Sequence, residues 1–450
     1  MPRSITRFMM ALILTIIVFL PLAGIATSRA TAAPSSALAW QDSIQIATGR
    51  GELGPWQQNA SRYDYVDDPT VALDEHGGIA VVWVEQARKD VFFQRMAHGS
   101  EQLEQPVNVS RSPATFSWLP RIVLAPNAPQ HVYLLWQEII FSGGSHGGDI
   151  FFARSQDGGK TFSTPVNLSN SIGGDGKGRI NKDIWHNGSY DLVASADGTL
   201  YAVWTEYDGP LWFSRSVDGG ASFSKPQQLA GGRDSKPARG PSLATGPNRT
   251  VYLAWTTGED TGADIRIAKS TDGGSTFDTP QLVAPSKGYS DAPQLAVDHG
   301  GVLHLVYAES VEGPFDRHQI HYTRSTDGAR TFEAPREIST PSPQSVASAG
   351  FPALSTDAKG RIYVLWEVFL HHRQRPRGLG ISLSPDGGRS FSTPTFVPDS
   401  TDPGSGPNGS HQGLFMKKLA VNSTGAVAVV NSSLKQDRYS RVWLMRAQHK

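Results

Sequence analysis

The 450-residue chain contains no cysteine. That absence excludes disulfides, thiolate metal sites, iron–sulfur clusters and a cysteine nucleophile. Charge of one sign is not in surplus either, because 41 Lys and Arg balance 41 Asp and Glu. Nucleic-acid binding is therefore not expected, since neutralising phosphates needs a basic excess. Past residue 26 no apolar run is long enough to cross a bilayer. Glycine (46), proline (30) and tryptophan (11) are plentiful, and 38% of the residues are hydrophobic. Turns are thus frequent, a core can be buried, and disorder is excluded as the main state.

The N-terminus reads as an export segment. Arg3 and Arg7 precede an apolar run from Phe8 to Ala26, and Ala30-Thr31-Ala32-Ala33 follows. A charged start, an apolar middle and a small-residue end make a secretory signal peptide over 1–33, with an uncleaved membrane anchor as the alternative. Both place residues 34–450, read as a single domain, outside the cytoplasm.

That domain is a tandem repeat. One box recurs five times: Ser155-x-Asp157-Gly-Gly-x-Thr161-Phe162, Ser216-x-Asp218-Gly-Gly-x-Ser222-Phe223, Ser270-x-Asp272-Gly-Gly-x-Thr276-Phe277, Ser325-x-Asp327-Gly-Ala-x-Thr331-Phe332 and Ser384-x-Asp386-Gly-Gly-x-Ser390-Phe391. Successive aspartates lie 61, 54, 55 and 59 residues apart, and each Phe has a Pro three residues on. Asp beside Gly is hairpin chemistry: Gly accepts positive φ, and Asp caps backbone N–H groups. The Phe is expected to fold back onto its own hairpin as an apolar plug. Upstream of each box an apolar strand ends in an aromatic, as in Leu200-Tyr-Ala-Val-Trp204 and Val251-Tyr-Leu-Ala-Trp255. Each unit is then four short strands, A to D, and such units in series are propeller blades. Seven A–B pairs can be counted, six blades being the alternative. The seventh unit ends after strand C, near Val442-Trp-Leu-Met-Arg446. Ser43-Ile-Gln-Ile-Ala47 resembles the other D strands and is expected to complete that blade and close the ring. The fold class is all-β, a seven-bladed β-propeller.

The boxes resemble the Asp-box, or bacterial neuraminidase repeat, of the sialidase superfamily. The resemblance implies that Asp157, Asp218, Asp272, Asp327 and Asp386 are structural and sit on peripheral hairpins away from the active face. It also implies glycan-directed chemistry. Sialidases hold the substrate carboxylate with an arginine triad and use a Tyr–Glu nucleophilic pair and an Asp acid. Their early Arg-Ile-Pro motif is absent here; Leu119-Pro120-Arg121-Ile122 carries the residues in another order.

Strands alternate in direction, so the boxes share one face and the B–C and D–A loops share the other. Ligand sites favour the second face, where several blades converge on the channel mouth. Carboxylates follow the strand-B aromatic in five blades: Glu85, Glu138, Glu206, Glu309 and Glu367. They suit acid/base work or sugar hydroxyls, or else they cap backbone groups and pair with Arg. Strand A opens with Asp67, Asp68, Arg121, Asp191, Arg239, Asp291 and Lys418. Arg239 and Arg121 are candidate bidentate clamps for an anion, with blade-to-blade salt bridges as the alternative. The segment Asn170 to Ser189 carries Asp175, Arg179, Asp183, Trp185 and His186, and Arg317 and His318 lie in the fifth B–C loop. Trp118 and Trp185 are candidate sugar platforms. Glu206 and Asp191 are the acid/base candidates, with Tyr190 and Tyr207 beside them. The histidines show no regular spacing, so neither a metal nor another cofactor is expected.

Three readings follow: a secreted glycan-recognising propeller, a sialidase-like hydrolase or polysaccharide lyase, and a non-catalytic scaffold for proteins. The expectation is a monomer with a glycan or polysaccharide ligand. No nucleic-acid partner is expected, and no membrane contact beyond an N-terminal anchor.

Overall fold

The structure is a computed structural model. It describes residues 38–450 apart from 113, 140–147, 171–173, 182–183, 233–234, 287, 315, 341–345, 372–374 and 402–416. The export segment expected at 1–33 lies outside the described residues. Seven antiparallel sheets follow in chain order, six of four strands and one of five. Strand A of blades 1 to 7 is Val66–Leu73, Phe116–Ala125, Tyr190–Ala194, Ala238–Gly246, Tyr289–Val297, Ser348–Thr356 and Leu419–Val421. The ring closes as the sequence predicts. Ile44–Gly49 pairs antiparallel with the last strand, Tyr439–His449, and Leu38–Trp40 adds to the same edge. Two short hairpins interrupt the pattern, Glu52–Leu53 with Tyr63–Asp64 and Lys177–Asn181 with Ile184–Asn187.

The inner strands are buried on both faces; every residue of Ile362–Phe369 is buried. Their apolar residues therefore form interfaces between blades rather than one central core. Val203 and Phe213 of blade 3, for instance, share a cluster with Leu243 and Leu253 of blade 4. The cluster across the closure joins Val71 and Val81 of blade 1 to Val430 and Leu444 of blade 7. Such alternating sheets bury apolar surface worth about 25 cal/mol per Å².

The five boxes share one geometry. In the fourth blade Ser270 Oγ donates to Asp272 Oδ1 at 2.7 Å, and Gly274 N–H donates to Ser270 Oγ at 2.8 Å. Thr276 closes the loop, its N–H on Oδ1 at 3.0 Å and its hydroxyl on Oδ2 at 2.7 Å. These donors hold the box aspartates below the ordinary carboxylate pKa, Asp157 down to about 2. The box Phe, however, does not plug its own hairpin. It packs edge-on against the strand-C aromatic of the preceding blade: Phe162 on Phe93 at 5.3 Å, Phe223 on Phe152 at 4.9 Å, Phe277 on Phe213 at 5.0 Å and Phe391 on Tyr322 at 4.7 Å. The hairpin is too tight to bury a ring against itself, whereas the neighbouring sheet offers one. A basic residue just before the box serine adds a second stitch. Arg154, Arg215, Lys269 and Arg324 each donate to a glycine carbonyl in the next blade's box.

This stitch explains the one irregular box. Gly274 has φ +77°, and a Cβ there would lie 2.7 Å from Phe213 Cζ. At the same place blade 5 carries Ala329, also at positive φ (69°). The preceding blade there offers Ile267 rather than an aromatic, and Ala329 and Ile267 share one cluster. Gly274→Ala should destabilise the protein by about 1–3 kcal/mol through overpacking. Phe213→Ile in the same chain should recover part of that loss. A double-mutant cycle by chemical unfolding reads the coupling; simple additivity would contradict the stitch.

The boxes also set an acid dependence. A folded-state pKa below the unfolded value adds stability that is present above the unfolded pKa and lost as pH falls through the folded one. Stability should therefore decline from about pH 4 toward about pH 2, and Asp157→Asn should flatten that decline in thermal melts.

Candidate functional site

The mouth opposite the boxes is built on a repeated distortion of strand A. In five blades the strand carries a residue at positive φ followed by proline: Asp68-Pro69, Leu119-Pro120, Gly240-Pro241, Ala292-Pro293 and Phe351-Pro352. Pairing with strand B shifts register at each of them. A bulge of this kind re-aims the side chains that precede it, and non-glycine residues at positive φ store strain that surrounding structure must hold. The residue before each bulge is Asp67, Trp118, Arg239, Asp291 or Gly350.

At the floor of the mouth the charges are spent on one another. Asp191 of blade 3 meets Lys417 of blade 7, on the opposite side of the ring, at 2.6 Å. It also accepts the N–H groups of Leu192 at 2.8 Å and Leu243 at 2.9 Å. Lys418 pairs with Glu367 and donates to Asn431 at 3.0 Å; all three are buried. Glu138 accepts from Thr115, from Ser117 at 2.7 Å and from the Trp136 indole at 3.0 Å. Burial raises the Glu138 pKa, against those donors. Asp67 is raised in the same way, against the Asp68 N–H and the Ser432 hydroxyl.

Two arginines stack on a tyrosine of the next blade. Arg121 lies 5.1 Å above the Tyr190 ring, and the Tyr190 hydroxyl donates to the Leu119 carbonyl at 2.6 Å. Arg239 lies 4.8 Å above the Tyr289 ring. Its Nε donates to Asp291 at 3.2 Å, and its Nη1 to the carbonyls of Arg179, at 3.2 Å, and Gly258. Arg239 is 1% exposed, and its Nη2 has no hydrogen-bond acceptor among the described residues. Asp291 further accepts from Thr256 at 3.1 Å and from the Tyr289 hydroxyl at 3.3 Å. Burial pushes the Tyr289 pKa far up, so its hydroxyl keeps its proton. Tyr289 also meets His318, ring to ring at 6.1 Å in a T-shaped contact. His318 Nδ1 lies 2.9 Å from the Asp316 carbonyl. A carbonyl only accepts, so Nδ1 carries the proton and Nε2 keeps its lone pair. Burial lowers the His318 pKa, which favours the neutral ring.

The residues predicted for the site are distributed unevenly. Arg239 and Asp291 come together, as do Arg121 and Tyr190. Asp191, expected as an acid/base partner of Glu206, is instead held by Lys417 and two backbone donors. Trp118 is only 6% exposed and donates to Gln86 at 3.3 Å. It is a core residue under the bulge and offers no face to a sugar. Glu138 and Glu367 are likewise buried and engaged. Glu206 and Tyr207 are half-buried at the foot of the 177–187 hairpin, and burial raises the Glu206 pKa. Arg317 is exposed and lies with Glu309, Glu312, His321 and Glu337 along a groove of about 710 Å³ at the outer edge of blade 5. Trp185 and His186 fall on the hairpin, but their side chains lie outside the described residues. Three residues escaped the sequence reading. Lys417 was passed over for its neighbour Lys418, Tyr289 was not singled out, and Trp56, an indole 52% exposed, sits in the segment leading to blade 1. His318 was met only as one scattered loop histidine. A usable signal existed in Tyr65-x-Asp67-x-Pro69 and Tyr289-x-Asp291-x-Pro293, which mark two bulges carrying the same aromatic–carboxylate pair.

Neither a family model nor a curated protein matches the chain. Solved structures do. An ulvan lyase, described as a new family of polysaccharide lyase, matches with a TM-score of 0.58 at 12% identity, covering 89% of this chain and 95% of its own. A second structure of that lyase, bound to a GlcA(1-4)Rha3S ligand, gives 0.55 at 12% identity over 84% and 94%. A Dyadobacter fermentans protein of unknown function gives 0.53 at 14% identity over 75% and 95%. A sialidase, Hadza microbial sialidase Hz136, also matches, with a TM-score of 0.47 at 14% identity over 68% and 64%. At such identities the likeness is one of fold.

The buried Lys418–Glu367 pair allows a stability test at the mouth. Lys418→Met should cost about 3–5 kcal/mol, because it strands a buried carboxylate. Adding Glu367→Leu should recover most of that loss in chemical denaturation.

Proposed function

We propose that this chain is an exported propeller that binds an acidic polysaccharide at the mouth of its ring, with Arg239 as the partner of a uronate carboxylate. The observation that carries the reading is the cluster of Arg239, Tyr289, Asp291 and His318. It combines a buried guanidinium, with one nitrogen still to be matched, and a neutral imidazole whose lone pair is available. The Tyr289 ring contacts both. Trp56 supplies an exposed indole for a sugar ring. The fold shared with an ulvan lyase, whose bound ligand contains GlcA, supports the same ligand class by analogy.

The chemistry that suits these groups is β-elimination. Arg239 neutralises the uronate carboxylate and so acidifies the C–H bond beside it. His318 Nε2 takes that proton, a carbon–carbon double bond forms, and the glycosidic C–O bond breaks. The imidazolium then returns the proton to the departing oxygen. Asp291 and the Tyr289 ring hold Arg239 in place. Hydrolysis has one supporting observation, the half-buried Glu206 with its raised pKa beside Tyr207. A pair of free carboxylates flanking a scissile bond, which hydrolysis requires, is not found at the mouth among the described residues.

A panel of uronate-containing, sulfated and neutral polysaccharides separates the readings. Elimination is reported by the ultraviolet absorbance of an unsaturated uronyl product. Hydrolysis gives new reducing ends without it, and a pure binding protein gives neither. Arg239→Ala should weaken binding of uronate polymers by about 10- to 100-fold, the value of a charge-assisted contact, and leave neutral polymers untouched. Equal loss for both classes would remove the clamp. If elimination occurs, its acid limb should lie below the ordinary histidine value of 6.5, and His318→Gln should abolish turnover while uronate binding persists.

A further inference from the structure

On the box face one basic residue lacks the partner its position calls for. Arg446 of blade 7 precedes Ala447, which pairs with Val427 at the start of strand B, as Ser325 pairs with Leu303 in blade 5. Arg446 therefore stands where Arg154, Arg215, Lys269 and Arg324 stand, each of which donates to a glycine carbonyl of the next box. The box across the closing seam is the degenerate one of blade 1, His98-Gly99-Ser100-Glu101-Gln102-Leu103. Its apolar half survives, because Leu103 takes the place of the box Phe and joins the cluster that holds Leu444. Its polar half does not. Gly99 has φ +72°, and a Cβ there would meet no atom within 4 Å, whereas one on Gly328 would lie 2.9 Å from Lys269 Nζ.

A second partner is missing as well. In blade 1 the corresponding Arg95 pairs with Asp74 of its own A–B turn at 2.7 Å and donates to the Pro129 carbonyl at 3.0 Å. The same turn of blade 7 carries the uncharged Asn422, whose Oδ1 already accepts from the Thr424 hydroxyl at 2.8 Å and the Ala426 N–H at 3.0 Å. Among the described residues Arg446 forms no ion pair, and its Nε is buried without a hydrogen-bond acceptor. Arg446 lines a cavity of about 320 Å³ between blades 7 and 1, at the small end of ligand pockets. Met96 and Val427 give this cavity an apolar side, and Gln41, Ser100 and Gln448 add polar groups. Glu75 and Glu101 line it too; Glu75 accepts from the Ser423 N–H at 3.0 Å, and Glu101 is exposed. A charged donor buried without an acceptor costs stability, so an occupant that accepts from Arg446 is favoured.

We propose that this seam cavity binds a monocarboxylate of monosaccharide size, with the Arg446 guanidinium as its partner. The planar fork of the guanidinium matches a carboxylate with two parallel hydrogen bonds. Glu75 and Glu101 repel a second negative charge, so a phosphate dianion is disfavoured. The mixed apolar and polar lining suits a ring that carries hydroxyls, which makes a free uronic acid the ligand class. The site lies on the face opposite the mouth and does not depend on Arg239. A ligand held there touches blades 7 and 1 together and stabilises the closed ring by mass action.

Saturation-transfer NMR observed on sodium glucuronate tests the site in the Arg239→Ala protein, so that the mouth does not contribute. Transfer should be saturable, absent for glucose and only weakly displaced by inorganic phosphate. Adding Arg446→Gln should weaken binding at least about tenfold, the value of a charge-assisted contact. Glu101→Gln, at an exposed position, should instead tighten it by about two- to fivefold by removing a like charge. Glucuronate should also raise the melting temperature of Arg239→Ala but not that of the variant that carries Arg446→Gln as well. No transfer in Arg239→Ala, equal transfer with glucose, phosphate displacing as well as glucuronate itself, or unchanged affinity in Arg446→Gln or in Glu101→Gln overturns the proposal. Transfer in the wild type that vanishes with Arg239→Ala supports the mouth assignment and removes this one.

Discussion

Seven sheets can present their inner ends to a common mouth only if the last sheet packs against the first. In this chain that closure is made by Ile44–Gly49, which pairs with Tyr439–His449 and brings the two ends of the chain into one blade. Across the seam, the Asn422 side chain donates to the Asp74 carbonyl at 3.2 Å, and Ser432 donates to Asp67 at 2.9 Å. Without the closing strand blade 7 would expose an unpaired edge, and blade 1 would lose the sheet against which Val71 and Val81 are buried. Every geometric relation at the mouth depends on this pairing, including the contact of Lys417 with Asp191 across the ring.

The box face and the mouth divide the work of the fold. Four of the five boxes tie their blade to the preceding one by an aromatic contact, and four do so by accepting at a glycine carbonyl from a basic side chain. These contacts set the angle between blades at the periphery. The mouth is left to carry strained bulges and buried charges, both of which cost stability and persist only where surrounding structure compensates. Most of that charge is neutralised internally, as at Lys418–Glu367 and Asp191–Lys417. Blades 4 and 5 differ, because the Arg239 guanidinium there donates to Asp291 and to two backbone carbonyls and stacks on Tyr289, whose ring also contacts His318.

In the proposed function, burial is what would fit Arg239 for an anionic sugar. Arg239 is desolvated and held by Asp291, so a carboxylate that reaches it meets a preorganised donor in a medium of low dielectric. A mouth of this kind would discriminate by charge at Arg239.

The amino-acid sequence by itself determined the period of the repeat, the blade number, the closing strand and the placing of the boxes away from the mouth. Each of these follows from local chemistry: a hairpin that needs Asp and Gly, a strand that alternates, a spacing that recurs. It also marked Arg239 and Asp291 as lying near the mouth. Only the tertiary structure decided what each mouth residue does. Trp118 looked like a platform, but the bulge at Leu119 turns it into the core. Asp191 looked like a catalytic acid, but an ammonium from the far side of the ring occupies it. Tyr289 and His318 gain meaning only when blade 5 folds them against an arginine from blade 4. A partner chosen across a ring depends on blade angle and bulge direction, and neither is written in the spacing of residues along the chain.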